Sequence, residues 1–271
     1  MFECVINISE GRNLAVLDEL SRAAGASLRD RHADAFHHRS VFTLINEPDP
    51  LARDVHSLLT RAFARLDLSR HEGVHPRFGV VDVVPFVALS PSTDEEARVL
   101  RDATARWIAE RFEVPTFLYG ELTDQTTRTL PEVRRRAFKG LSPDFGPPQP
   151  LASLGAVAVG ARGVLVAWNL WLADTALDRA KEIVRSIRGP YVRSLALTVG
   201  DQVQVSCNLI DVTKVRPSEV YDRVRGSLAA GEGISRAEVV GLVPASLLSS
   251  EDPSRWEQLG LDPGLTIEAR L

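Results

Sequence analysis

The stretch HEGVHPRFGVVD occupies residues 71–82, and an apolar run over residues 80–89 begins within it. Two histidines, an arginine and two carboxylates therefore lie directly before or at the start of a segment with the pattern of a buried β-strand. Loops that are held by a rigid scaffold are where binding and catalytic residues concentrate. The pattern predicts a polar functional loop that a strand holds in place, with the rest of the chain supporting and facing it.

The composition is that of an ordinary globular protein. The chain has 271 residues, 44% hydrophobic and 25% charged, with a net charge of −4, which does not favour nucleic acid as a partner. Cys4 and Cys207 are the two cysteines, and neither has a CxxC or CxxH context, so a disulfide framework or thiolate metal site is not indicated. Residues 1–6 lack the features of a signal peptide, and no apolar run approaches the roughly 20 residues that span a bilayer. We therefore expect a cytoplasmic protein without a membrane partner.

Helical and strand patterns follow one another in the same order in both halves of the chain. The order strand-helix-strand, strand-helix-strand predicts an α/β (α+β sandwich) fold of two ferredoxin-like βαββαβ subdomains, each a sheet backed by helices. An irregular, proline-rich connection over residues 120–154 separates the halves. It gives a predicted N-terminal subdomain over 1–155 and a C-terminal subdomain over 156–271. Within the connection, Arg134, Arg135 and Arg136 are predicted to form a solvated helix face. The predicted elements include strands at 5–8, 26–30, 40–45, 80–89 and 115–119, helices at 14–24 and 48–68, and a helix capped by residues 92–95 that ends near 112.

Residues 71–75 also fit the HExxH pattern of zinc metalloproteases, which requires both histidines on one face of a helix. Gly73 lies in the middle of the segment, and Pro76 disfavours a helical conformation at His75. No histidine follows His75 in the chain. The sequence therefore predicts no metal site. A second histidine cluster, His32, His37 and His38, lies between two predicted strands and is a further candidate for function.

Several long segments match the sequence patterns of one known family. Residues 3–13, ECVINISEGRN, are similar to the family pattern E-C-V-P-N-F-S-E-G-[RK]-N, and residues 69–82, SRHEGVHPRFGVVD, are similar to S-R-H-x-G-E-H-P-R-M-G-A-x-D. Residues 114–121, 143–147 and 155–162 resemble V-P-V-Y-L-Y-G-E, P-D-F-G-P and G-A-T-A-x-G-A-R. Together these segments resemble the glutamate formiminotransferase family. The similarity extends over most of the chain and is weaker in the second half.

The resemblance implies a fold of two α/β subdomains with a folate substrate in the groove between them, and a homodimer. The implied reaction moves a formimino group between N5 of tetrahydrofolate, the co-substrate, and the amine of glutamate. The family's catalytic histidine corresponds to His75, which is suited to act as acid and base. Arg77 and Arg39 are cations that fit substrate carboxylates, or alternatively form a fold-stabilising ion pair. The implied folate-binding residues are Gly146, Pro147, Pro148, Gln149, Pro150, Leu151, Ala152, Ser153, Leu154 and Gly155.

The chain departs from the family pattern at the predicted site. Val74 stands where the family has a glutamate before the catalytic histidine, His32 replaces an active-site aspartate, and His37-His38 replaces Thr-Asn. A histidine without neighbouring carboxylates is expected to have a lower pKa. The alternatives to a formiminotransferase are a non-catalytic folate-binding relative and a transferase or hydrolase with a different substrate.

Overall fold

The first strand of the chain becomes an inner strand of the larger sheet. A computed structural model describes residues 1–73 and 77–271. Within these ranges the chain divides into two compact units, Met1–Gly163 and Val164–Leu271. The first unit contains β1 (Phe2–Ile8), α1 (Leu14–Ala23), β2 (Leu28–Asp34), β3 (Arg39–Asn46), α2 (Pro48–Arg65), β4 (Val81–Ala88), α3 (Asp94–Phe112), β5 (Thr116–Glu121), β6 (Thr127–Arg128), α4 (Leu130–Arg136) and β7 (Val157–Ala161).

Alternation along β1 decides which face of the first sheet is covered by helices. Phe2, Cys4, Ile6 and Ile8 are fully or almost fully buried and pack with apolar side chains of α1, α2 and α3 in one core. Every second side chain of a strand points to the same face, so this face is the one that the three helices cover. The strand order among the described residues is β2-β3-β1-β4-β7-β5-β6.

The sheet continues beyond the β1-to-β4 portion through β7, which pairs in parallel with both β4 and β5. All five β7 residues are buried, as expected of a strand enclosed by parallel neighbours. The predicted N-terminal subdomain ended at residue 155, whereas the first compact unit extends to Gly163 because β7 belongs to its sheet.

The second unit contains a smaller antiparallel sheet with its own core. Its strand order is β11-β8-β10-β9, and Trp168, Leu170 and Val205 pack with apolar residues of α5 and α6. The predicted mixed α/β class, with two sheets backed by helices, is confirmed. The elements are β8 (Val166–Ala173), α5 (Leu177–Ile187), β9 (Val192–Val199), β10 (Gln202–Leu209), α6 (Pro217–Ser227), β11 (Gly233–Val240), α7 (Ala245–Ser250) and α8 (Trp256–Leu259).

Local sequence signals explain several element limits. Thr93 and Glu96 form a capping box at the start of α3, because the side chain of each accepts a hydrogen bond from the backbone N–H of the other. This agrees with the cap predicted at residues 92–95. The connection at 120–154 is less irregular than predicted, because β6 and α4 lie within it. In the described part of the chain, every helix is too short or too polar to span a bilayer.

Candidate active site

The segment that carries the predicted catalytic histidine is fixed at both ends. His75, with Val74 and Pro76, lies outside the described residues. The described flanks, 71–73 and 77–79, are not helical, as expected from Gly73 and Pro76. A short 3₁₀ turn over Leu68–Arg70 precedes the segment, and β4 begins after it at Val81.

The predicted folate loop is hydrogen-bonded to residues that lie next to these flanks in the chain. The backbone N–H of Leu68 donates to the carbonyl oxygen of Ser153 at 2.7 Å, and that of Val80 donates to Leu154 at 3.0 Å. Gly79 and Gly155 form an isolated antiparallel bridge. The structure therefore brings the C-terminal end of the 146–155 segment beside the segment on either side of His75.

The opposite end of that loop is anchored elsewhere in the first unit. Gly146 has a positive φ of 90° and lies beside the backbone at Val114 and Pro115. The guanidinium of Arg106 lies 4.7 Å from the centre of the Phe145 ring. Just before it, Asp144 accepts hydrogen bonds from Arg128 and from the backbone N–H of Leu118, both at 2.7 Å. The two ends of the loop are thus fixed by different parts of the first unit.

The turn between β2 and β3 carries His37 and His38 against the His75 segment. Asp34 organises this turn, because its Oδ1 accepts hydrogen bonds from the backbone N–H groups of Phe36 and His37, both at 2.8 Å. His38 follows in the left-handed region with φ 49°. Its backbone carbonyl then accepts from His71 Nε2 at 3.0 Å and from Arg77 Nη2 at 2.8 Å. Arg77 also donates to the carbonyl of His37.

A second turn, directly after β1, contacts His38 through the side chain of Glu10. One carboxylate oxygen of Glu10 accepts from the backbone N–H groups of Gly11, Arg12 and Asn13 at 2.7–2.9 Å and lies 3.1 Å from His38 Nε2. Burial opposes ionisation of Glu10, but the hydrogen bonds from Asn13 and Arg12, with His38 and Gly11, lower its pKa overall. Glu10 is therefore an ionised carboxylate at neutral pH.

The two turns approach closely only because residue 11 is glycine. A Cβ atom at Gly11 would lie 2.2 Å from the carbonyl oxygen of Asp34 and 2.6 Å from the backbone nitrogen of Arg39. Such distances are far below van der Waals contact, so any side chain there would separate the turns. Arg12 strengthens the approach by donating from Nε to the carbonyl of Ala35 at 2.7 Å.

The rings of His38 and His71 are in contact, with their centres 3.9 Å apart and their planes tilted by 38°. Burial, followed by the positive charges of Arg77 and His38, lowers the pKa of His71 to about 4. His71 is consequently neutral at physiological pH. Because its Nε2 faces a carbonyl oxygen, we assign the proton to Nε2 and a lone pair to Nδ1.

Asp82, a buried carboxylate at the start of β4, forms ion pairs with two arginines. Its Oδ2 lies 2.6 Å from both Arg39 Nη1 and Arg134 Nη2, while its Oδ1 accepts from the backbone N–H of Phe78 at 2.8 Å. Burial raises the pKa of Asp82, but Arg39 and Arg134 outweigh it and lower the pKa overall. For Arg77, burial and then repulsion from Arg39 lower the pKa to about 10, so it stays charged at neutral pH.

His32 lies on β2, on the same sheet face as other polar groups of the site. It is half-buried and pairs with Val41, which in turn pairs with Asn7 on β1. Directly paired residues have side chains on the same face, so His32 shares a row with Asn7. The side-chain oxygen of Asn7 accepts from Arg39 Nε at 3.1 Å, which links this row to the arginine cluster.

Three residues that the structure places at the candidate site were not predicted as site residues: Glu10, Asp82 and Arg134. The sequence interpretation of Arg134 as part of a solvated helix face is wrong, since it donates to the buried Asp82 across 52 positions of sequence. Arg135 and Arg136 are exposed as predicted. Glu10 and Asp82 lie within the quoted motifs at residues 3–13 and 69–82. The neighbouring sequence, however, does not indicate which cationic side chain each carboxylate contacts.

In residues 1–73 and 77–271, no group of three His, Cys, Asp or Glu side chains is placed to hold a metal ion. The described groups are instead suited to fixing carboxylates and exchanging protons. Fold and candidate site together define a mixed α/β protein whose first unit carries a cluster of arginine and histidine side chains.

Comparison with known proteins identifies the family. A sequence model described as the formiminotransferase domain, N-terminal subdomain, matches residues 1–162. A glutamate formimidoyltransferase of Streptococcus pyogenes serotype M1 is 32% identical over 262 residues, covering 89% of this chain and 88% of the relative. One of Thermoplasma acidophilum is 31% identical, with the same two coverages. The formimidoyltransferase-cyclodeaminase of Gallus gallus is 33% identical over 251 residues, 83% of this chain and 46% of that longer protein. The chain belongs to the formiminotransferase family.

Proposed function

We propose that this protein transfers a formimino group between N5 of tetrahydrofolate and the amine of glutamate. The family and the names of the relatives, glutamate formimidoyltransferase, support this reaction. The structural observation that carries the proposal is the convergence of three segments. The Glu10 turn, the His38 turn and both flanks of His75 are joined by hydrogen bonds, with cationic arginines and the 146–155 loop beside them.

The reaction needs one proton to leave and another to be delivered. The ammonium group of glutamate loses a proton, and its nitrogen then adds to the formimino carbon to give a tetrahedral adduct. The bond from that carbon to N5 breaks as N5 receives a proton. One histidine near neutrality can accept the first proton and return it. We assign this role to His75 by its match to the family motif, with His32 as the second candidate.

Arginine supplies the fixed positive charge for the substrates. Arg77 keeps its charge at neutral pH, although its pKa is lowered to about 10 by burial and by Arg39. We propose that Arg77 attracts a carboxylate of glutamate or of the folate tail. Arg39 is engaged by Asp82, and we propose that it acts through the field it adds at the site. Tetrahydrofolate would be held by Gly146 to Gly155, and no metal is required by this scheme.

A second candidate function is folate binding without turnover. It is favoured by one specific set of contacts, because His71 and Arg77 are both occupied with backbone carbonyls of the His37-His38 turn. In addition, His32 and Val74 stand where the family pattern has acids. A rigid site of this kind could retain a ligand and yet lack the group that assists the catalytic histidine.

The test is a formimino-transfer assay run beside a folate titration. Incubation with 5-formiminotetrahydrofolate and glutamate should yield formiminoglutamate, and His75→Ala should reduce kcat by about 10²- to 10⁴-fold. His56→Gln is the matched control, since His56 stacks on Trp107 at 3.8 Å, away from the described site contacts, and should keep its activity. Folate affinity without product would support the binding protein. Absence of both would overturn both candidates and point to another substrate.

We also infer a cytoplasmic homodimer acting in histidine catabolism and one-carbon metabolism, on the resemblance to the family. Light scattering coupled to size-exclusion chromatography tests the assembly. A mass equal to one chain of 29.7 kDa would contradict the homodimer.

A further inference from the structure

We propose that His38 is a positioning residue that acts as an imidazolium, tying the segment on either side of His75 to the turn that contains Glu10. The catalytic consequence rests on the proposed formimino transfer, whereas the charge state of His38 does not. The family pattern has a neutral asparagine where this chain has His38, so the resemblance does not supply this role.

The protonation state follows from the two partners of the ring. Nδ1 lies 2.9 Å from the backbone carbonyl oxygen of Glu72, and Nε2 lies 3.1 Å from Oε1 of Glu10. A carbonyl and an ionised carboxylate have no proton to donate, so both hydrogen bonds must come from the ring. A neutral imidazole carries one N–H, and only the imidazolium carries two. Charge-assisted hydrogen bonds of this type are also stronger than neutral ones.

The backbone of His38 completes a reciprocal connection. Its side chain donates to the backbone at Glu72, before the His75 position, while its own carbonyl accepts from the side chains of His71 and Arg77, which flank that position on both sides. The left-handed conformation at φ 49° is uncommon for residues other than glycine, although histidine adopts it more often than most, as asparagine and aspartate do. We infer that it persists because these contacts hold it.

The charges around His38 are compatible with an imidazolium. Glu10, from the turn after β1, is the anion in direct contact. His71, from the segment before His75, is neutral because burial, Arg77 and His38 lower its pKa to about 4. Arg77 is positive but contacts the His38 carbonyl. The ring contact of 3.9 Å therefore pairs one charged imidazole with one neutral imidazole.

Loss of this connection should reduce catalysis more than substrate binding. A displacement of about 1 Å in a catalytic group can lower the rate by roughly 100-fold. We therefore expect His38→Gly to lower kcat by about 10- to 100-fold, with a change of less than about threefold in KM for the folate substrate. Glycine adopts φ 49° without strain, so the variant removes the ring without disturbing the turn.

Chemical rescue separates hydrogen bonding from mere filling of space. Imidazole added to the assay at pH 6.5 is largely protonated and should restore part of the kcat of His38→Gly. Thiazole has a similar shape but no N–H donor and should not restore it. Equal rescue by both compounds, or kcat and KM equal to wild type in His38→Gly, would overturn the positioning role.

The charge state is measured without any assay of activity. In protein labelled with ¹⁵N-histidine at pH 7.0, both ring nitrogens of His38 should give signals of the protonated type, assigned by their absence in His38→Gln. A spectrum with one protonated and one unprotonated nitrogen would refute the imidazolium. If the wild-type protein transfers no formimino group, the proposed function fails while this spectrum still decides the state of His38.

Discussion

At the scale of single residues, Asp82 is the group whose removal should cost the most stability. It is fully buried, and its Oδ2 lies 2.6 Å from both Arg39 Nη1 and Arg134 Nη2. Breaking a buried ion pair by removing one partner typically costs about 3–5 kcal/mol, because the other charge is left uncompensated. We expect Asp82→Asn to lower the free energy of unfolding by about 3 kcal/mol, measured by urea denaturation. A loss as small as that of a surface pair would contradict this account.

The pH dependence of that stability has a definite sign. Arg39 and Arg134 outweigh burial and lower the pKa of Asp82 in the folded protein. A carboxyl with a lowered pKa stabilises the fold above its unfolded pKa, and this contribution is lost as the pH falls through the folded value. Asp82→Asn should therefore show a flatter decline of stability in acid than the wild type. Asp178→Asn, at an exposed pair with Lys181, is the control and should change the acid profile much less, because solvent screens an exposed ion pair.

Residue types indicated the chemistry of the candidate site better than they indicated its partners. The sequence left Arg39 and Arg77 as either substrate-binding cations or members of an ion pair, and Arg39 does form an ion pair with Asp82. The role in substrate binding stays a prediction. No local pattern could show that Arg134 approaches Asp82, since 52 positions separate them and only the folded sheet brings them together.

At the scale of elements, the bridge between Gly79 and Gly155 joins the two predicted functional segments. Gly155 has φ 74°, and a Cβ atom there would lie 2.4 Å from the carbonyl oxygen of Phe78. Gly155→Ala should therefore displace residues 78–80 relative to the 151–155 loop. We expect a loss of about 1–3 kcal/mol of stability and at least tenfold weaker folate binding, measured by denaturation and by fluorescence titration.

Gly140 provides a control for backbone conformation alone. It also has a positive φ, 94°, but a Cβ atom there would have no neighbour within 4 Å. Gly140→Ala should cost about 1 kcal/mol from the unfavourable φ and leave folate binding unchanged. If both variants weakened folate binding equally, the bridge would not be what links the loop to the site.

Elements with strong local signals were predicted well, and those defined by pairing were not. Helix α3 begins at Asp94 and ends at Phe112, as the Thr93 cap and helical pattern required. Strand β7 (Val157–Ala161) was not predicted, because VAVGA is short and consists only of valine, alanine and glycine. Its identity depends on parallel pairing with β4 and β5, which are distant in sequence.

At the scale of the whole molecule, the two compact units have separate hydrophobic cores. Cys4 belongs to the core of the first unit and Cys207 to that of the second. The repeated order of strands and helices predicted two units from the sequence. It could not predict β6 and β7 of the first sheet, whose positions depend on contacts formed only after the chain has folded.

The buried thiols provide one native probe for each unit. Burial raises the pKa of Cys207 to about 12, and burial with the charge of Glu3 raises that of Cys4 well above its usual range. Thiols react as thiolates, so each cysteine should react with a maleimide only when its own core opens.

Val205→Ala, in the core of Cys207, removes about 2 kcal/mol of packing and should speed labelling of Cys207 by about thirtyfold. Val55→Ala, in the core of Cys4, is the converse control. Mass spectrometry of each labelled peptide separates the two rates, and equal acceleration of both cysteines by either variant would show that the units open as one.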